Sequence, residues 1–221
     1  MAVSTRVPTG GDTSSVEPNS RRVRSRLWWL GRVSLVVVVG VVGLFVWGLF
    51  QPKPPGFAPT DPDQGAFVTD EWTRYTINAT NRDEWVFFNF GQGRSVNATF
   101  STTNWDLAFK RTSLLTNSGL TNPAGSGGAL NLGEVELESA TVPPGVVFAL
   151  DRFDDDGDLT STEISRWYNY SFITHTVHAK TNTYLVRSGD ARDALVQFDS
   201  YYCEDEDAGC ITFRYRLVPA T

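Results

Sequence analysis

The stretch Ile211-Thr212-Phe213-Arg214-Tyr215-Arg216-Leu217-Val218 decides how the rest of the chain is read. Ile211, Phe213, Tyr215 and Leu217 alternate with Thr212, Arg214 and Arg216. A period of two places the apolar set on one face and the polar set on the other, so the segment is read as a strand with one buried face. Short runs of similar Val, Phe, Tyr, Trp and Thr content occupy residues 85–90, 96–101, 105–110, 146–151, 166–170, 183–187 and 194–202. β-Branched and aromatic residues of this kind fit a pleated, half-buried surface. No segment past residue 66 carries a 3.6-residue apolar period over ten residues. The expected fold class is therefore all-β, as a single β domain over residues 66–221, which is long enough to bury a core of its own. Residues 112–133 are rich in Asn, Gly, Ser and Thr and are read as one broad loop.

Outside that domain the sequence changes character. Residues 33–50, VSLVVVVGVVGLFVWGLF, form an uncharged run of 18 residues. As a helix they would span roughly 27 Å, close to the thickness of a hydrocarbon core. Trp28, Trp29 and Trp47 lie near its ends, where interfacial aromatics belong. Arg21, Arg22, Arg24, Arg26 and Arg32 precede the run, and Lys53 is the nearby basic residue beyond it. The positive-inside rule then puts the N-terminus in the cytoplasm and the C-terminal domain outside the cell membrane. A cleaved signal peptide would want a shorter apolar core and a small-x-small site, and Trp47-Gly48-Leu49-Phe50-Gln51-Pro52 offers none. The expected organisation is a disordered cytoplasmic tail over residues 1–26 and one transmembrane helix over 27–50. A stalk over 51–65, with five prolines, then leads into the β domain over 66–221.

Charge and composition exclude several functions. Residues 1–50 carry a net charge of +4, and the remainder carries −10. An acidic domain repels phosphate backbones, so nucleic acid is not an expected partner. The sequence holds no Gly-x-Ser-x-Gly elbow, phosphate-binding glycine loop or His-Glu-x-x-His motif, and it is not read as an enzyme. Cys203 and Cys210 flank the acidic stretch Glu204-Asp205-Glu206-Asp207 between the last two expected strands. Outside the cytoplasm a disulfide across that hairpin tip is the default reading.

Two segments carry candidate ligands. Counting Gly157 as position six of a calcium loop puts Asp154 and Asp156 at positions three and five, with Asp158 beside the turn and Glu163 at position twelve. Position one is Arg152, which cannot ligate, so the match is partial. His175 and His178 are the only imidazoles, and imidazole nitrogen is a good axial ligand for haem iron. Their spacing alone equally suits two polar residues near a strand end. Asn78-Ala79-Thr80, Asn97-Ala98-Thr99 and Asn169-Tyr170-Ser171 are glycosylation sequons, informative only in a host that glycosylates exported proteins.

The run Asn104-Trp105-Asp106-Leu107-Ala108-Phe109-Lys110-Arg111-Thr112-Ser113, followed by Thr116-Asn117-Ser118-Gly119, resembles the signature of the HmuY-like haem-binding proteins. Trp167-Tyr168-Asn169-Tyr170 with His175 forms a second matching block. Tyr184-Leu185-Val186-Arg187, Ser200-Tyr201-Tyr202 and Thr212-Phe213-Arg214-Tyr215 form a third. The resemblance implies an all-β fold whose extended loop fingers grip haem, or a related tetrapyrrole, edge-on. It implies haem capture at the bacterial surface and names no transporter or receptor partner for this chain. The best-known member ligates iron with two His from separate fingers, and some relatives use Met. His175 matches the first of these, with His178 as second candidate. The second finger corresponds to the Cys203–Cys210 tip, which holds neither His nor Met. In an extended strand, residues three apart point to opposite sides, so His175 and His178 do not make a bis-His pair. One His with Tyr168, Tyr170, Tyr201, Tyr202 or water remains, and Arg111 or Lys110 would meet the haem propionates.

Overall fold

The computed structural model describes residues 20–50, 52–63, 66–68 and 71–219. The chain divides into two compact units, Met1–Phe50 and Gln51–Thr221. Among its described residues the first consists of one helix, α1 (Ser20–Leu49). Within it Trp28–Gly48, 21 residues of mean hydropathy 2.2 with none of the apolar window buried, is long and apolar enough to cross a membrane. Arg32 places its guanidinium 3.5 Å from the Trp28 ring centroid, so charge and aromatic meet at the start of the apolar span. The helix takes in residues 20–26, which the sequence assigned to the tail, and residues 1–19 of that tail lie outside the described residues.

The second unit is all-β. One sheet has six strands in the order β1 (Phe67–Val68), β2 (Thr73–Asn78), β14 (Ala208–Leu217), β13 (Asp193–Tyr202), β12 (Thr183–Arg187) and β7 (Gly128–Asn131). A four-stranded sheet runs β4 (Arg94–Val96), β3 (Val86–Asn89), β5 (Leu107–Lys110) and β6 (Ser113–Thr116). Two further hairpins, β8 (Arg152–Phe153) with β9 (Leu159–Thr160) and β10 (Tyr168–Ser171) with β11 (Thr176–Ala179), stand apart from both sheets.

The period-two pattern of β14 holds at Ile211, Phe213 and Tyr215, while Leu217 is exposed at the strand end and Thr212 is buried against Thr76. Ile211, Phe213 and Tyr215 enter the main core beside Tyr75 and Ile77 of β2, Phe198 of β13, Phe88 of β3 and Phe109 of β5. Phe109 stacks on Phe213 with centroids 5.5 Å apart and planes 14° apart, and Phe88 meets Phe213 edge-on at 5.1 Å. The two sheets thus share one aromatic core, where ring pairs add about 1 kcal/mol each beyond their burial. The outer face of β3 and β5 forms a second cluster, Phe87, Trp105, Ala108 and Leu115, closed over by Trp85, Phe100 and Val96. A third lies across the six-stranded sheet, with Leu185 and Leu195 under Leu137 and Ala140.

Three expectations need correction. The expected loop 112–133 contains β6 and β7, because Leu114, Leu115 and Ala129 are buried between turn-forming neighbours. Residues 97–101 leave the sheet after β4, where Thr102 N–H bonds Thr99 O at 3.1 Å and Phe100 folds back onto Trp105. Residues 146–151 make only one bridge, Ala149 to Ala129, with Val147 82% exposed. Strand β2 was missed. Its Tyr75 and Ile77 do alternate with Arg74, Thr76 and Asn78, but two apolar positions are too short a period to stand out as a strand.

Part of the expected stalk is packed. Gly56 pairs with Tyr202 in parallel, Phe57 N–H bonds Tyr202 O at 2.9 Å, and Thr60 N–H bonds Thr76 O at 2.8 Å. Ser200 Oγ donates to Pro55 O, and Lys53 pairs with Glu206. Residues 53–60 form a strap sewn to β13, β2 and the last hairpin tip.

Candidate functional site

Trp167 is the foundation of the β10–β11 hairpin. It is fully buried against Phe198, with centroids 4.8 Å apart, and its Nε1–H donates to Thr112 O at 3.0 Å. The hairpin that leaves this anchor pairs Tyr168 with Ala179, Asn169 with His178, Tyr170 with Val177 and Ser171 with Thr176. Paired residues share a face and neighbours alternate. Tyr168, Tyr170 and Val177 therefore lie on one face, and Asn169 and His178 on the other.

The first face lines a recess of about 380 Å³. Tyr168, Tyr170, His175 and Val177 close it on one side, Tyr201, Tyr202 and Ala208 on another, and Arg111 and Thr112 complete it. Tyr201 and Tyr202 are consecutive, yet both reach it. The β13–β14 register shifts between Phe198 and Ser200 and again between Ser200 and Tyr202, and such irregularity re-aims side chains. Tyr202 Oη accepts Val177 N–H at 2.8 Å, which ties the hairpin to β13. Arg111 adopts φ +54°, places its guanidinium 5.5 Å from the Tyr201 ring centroid, and donates from Nη1 to Ala208 O. Burial pushes the Tyr201 phenol up, and the Arg111 charge partly opposes that shift.

His175 is exposed at the turn, with φ +54°, and its Nδ1 is 2.8 Å from Tyr170 Oη. His178 is also exposed but lies on the far face, with Nε2 2.8 Å from Thr176 Oγ1. The fold thus brings His175 and Arg111 to one recess with four tyrosines and leaves His178 outside it. Lys110 lies 4.9 Å from the Trp85 ring centroid, in the aromatic cluster across the four-stranded sheet, and does not line the recess.

The acidic segment is the β8–β9 hairpin. Asp154 Oδ1 accepts the amides of Asp156 and Asp158 at 3.1 and 2.9 Å, and Gly157 takes the turn at φ +86°. Glu163 Oε2 instead accepts Asn131 N–H at 3.2 Å. Asp154, Asp156, Asp158 and Glu163 do not converge, and among the described residues no three or more His, Cys, Asp or Glu gather to hold a metal ion. Cys203 and Cys210 are joined in a disulfide, with Cα atoms 4.8 Å apart. The acids of that tip border a more open hollow of about 570 Å³, with Ala58 and Pro59 of the strap and no aromatic lining.

Most of the signature block builds the frame, not the recess. Asp106 is buried and accepts Phe90 N–H at 2.6 Å and Gly189 N–H at 3.0 Å. Asn117 Nδ2 donates to Trp105 O at 2.7 Å and Thr102 O at 3.0 Å. A Cβ on Gly125, Gly127 or Gly189 would sit within 2.7 Å of Asn117 atoms. Asp151, which no motif singled out, accepts from Thr116 N–H, Thr116 Oγ1 and Thr121 Oγ1 at 2.8, 2.6 and 2.7 Å.

Comparison with known proteins gives the same frame. A structure of an apo HmuY analog from Tannerella forsythia superposes with a TM-score of 0.55 at 16% identity, covering 67% of this chain and 96% of that one. A candidate HmuY-like haem-binding protein of Bacteroides vulgatus gives 0.52 at 21% identity, covering 73% and 96%. A candidate lipoprotein of Bacteroides fragilis gives 0.54 at 19%, covering 71% and 97%. At these identities the likeness shows the fold. None of the curated proteins compared with the chain matches it. The profile of the HmuY protein family matches residues 81–215, more than half of the chain, and on that match the chain belongs to the HmuY family.

Proposed function

We propose that this protein is anchored in the cell membrane by α1 and binds haem or a related tetrapyrrole with its extracytoplasmic β domain, in the service of haem capture. The observation that carries the reading is the recess itself. It places one imidazole, four phenols and one guanidinium around a hollow between two hairpins. That donor set fits a haem edge. His175 offers a neutral nitrogen to iron, the tyrosine rings offer flat apolar faces, and Arg111 offers charge to a propionate. Bound haem would supply a metal centre with axial positions to fill. The chain's own part is to present His175, exclude water with the tyrosines and hold the carboxylates.

The test is titration of the detergent-solubilised full-length protein with haemin. The expected result is a shifted, saturable Soret band, lost in His175→Ala and kept in His178→Ala. A wild-type protein that leaves the haemin spectrum unchanged overturns the reading. A surface-interaction role has its own supporting observation, the fingertip residues Phe172 and Ile173, 80% and 42% exposed beside His175. That role predicts a partner protein or glycan whose binding Phe172→Ser abolishes and haemin does not affect.

A further inference from the structure

His175 has two ring nitrogens, and only one can face a metal while the other meets Tyr170. Resting on the haem reading above, we infer that Tyr170 is the positioning residue for His175, its phenol oxygen accepting the Nδ1 proton so that Nε2 keeps its lone pair for the metal. The Tyr170 Oη to His175 Nδ1 distance is 2.8 Å and the two ring centroids are 6.2 Å apart. A neutral imidazole has two tautomers. If the phenol donates to Nδ1, Nε2 carries the hydrogen and cannot ligate. If Nδ1 donates to the phenol, Nε2 is free. A fixed partner on the far nitrogen is the general device for setting tautomer, ring orientation and basicity at metal-bound histidine.

The backbone supplies an independent observation. His175 holds φ +54°, a left-handed conformation that residues with a Cβ adopt sparingly and that clusters at functional turns. Tyr170 itself sits on regular strand β10, paired with Val177. A rigid strand residue thus holds a turn residue, as a preorganised donor requires. His178 also has a hydroxyl partner, Thr176 Oγ1 on Nε2, but it lies on the opposite face from the recess.

The experiment compares wild type, Tyr170→Phe and His175→Ala, each as full-length protein in detergent. Tyr170 is 43% exposed, so loss of its hydroxyl leaves the core packing in place. Two readouts are taken. Imidazole nitrogen NMR of the protein alone should show His175 protonated on Nδ1 in wild type and moved toward Nε2–H in Tyr170→Phe. Haemin titration should show affinity about 10–100-fold lower in Tyr170→Phe, with a visible change in the iron spin-state bands, and no Soret shift in His175→Ala. A haemin band in wild type that Tyr170→Phe reproduces in position and affinity overturns the inference and leaves the haem reading standing. Wild-type His175 found protonated on Nε2 overturns it as well. Loss of the band in Tyr170→Phe while His175→Ala keeps it would put the metal on the phenol and reverse the two roles. Absence of any band in wild type defeats the haem reading and this role together.

Discussion

Asp106 and Asp151 do their work side chain by side chain. Both are buried, and burial pushes each carboxyl up from 3.8 to about 6, with hydrogen bonds opposing the shift only in part. An acid whose pKa is higher in the fold than in the unfolded chain binds its proton more tightly when native. Its contribution to stability is therefore largest below about pH 4 and falls as pH rises toward 6. Thermal melts of Asp151→Asn between pH 4 and 6 should show a weaker decline than wild type, and an unchanged slope would exclude Asp151 as a source. The two sites should differ in tolerance at pH 7. Asp151 receives two of its three bonds from threonine hydroxyls, which can rotate to accept from an amide. Asp106 receives two backbone amides, one per oxygen, and a backbone N–H cannot reverse. Asp106→Asn is expected to cost about 2–3 kcal/mol and Asp151→Asn about 1, measured by denaturant unfolding. At this scale a family pattern pointed to His175 and Arg111, which the fold brings to one recess. It could not show Asp151 as a hub, because the partners Thr116 and Thr121 lie 35 and 30 residues away.

Among the elements, the strap over residues 53–60 was the least legible. The five prolines of residues 51–65 announce an extended chain, and over 53–60 extended it is, but proline content says nothing about whether a sheet edge lies alongside. Its docking depends on Gly56, where a Cβ would come within 1.9 Å of Cys203 O. Gly56→Ala should release the strap, lower stability by about 1–3 kcal/mol and open residues 52–60 to limited proteolysis while β2–β14 pairing persists. A resistant, equally stable variant would mean the strap docks without that close approach. The strands β12, β13 and β14 were legible because apolar β-branched and aromatic residues mark them, in continuous runs at Tyr184–Val186 and Ala194–Val196 and in alternation along β14. Strands β6 and β7 were not. Four-residue strands between glycine and asparagine carry too little pattern to stand out from loop.

For the whole molecule, the split at Phe50 gives a helix unit and a β unit, and the described core residues all belong to the second. A chain starting at Gln51 should be soluble and melt in one cooperative transition with the full-length midpoint. A collapsed or aggregated product would show that the β unit needs the helix. The all-β class and the disulfide were readable from alternation and cysteine spacing. The recess was not, since it is assembled from three separate segments and from a register slip in β13. The knot at Asn117 has an evolutionary corollary. Three glycines from two loops press on that one residue, backbone and side chain, so substitutions there should be purged in any descendant that still folds. His175, on an exposed turn, is under no such steric veto. A lineage built on this chassis can vary the residues at that turn and still be recognised by its bones.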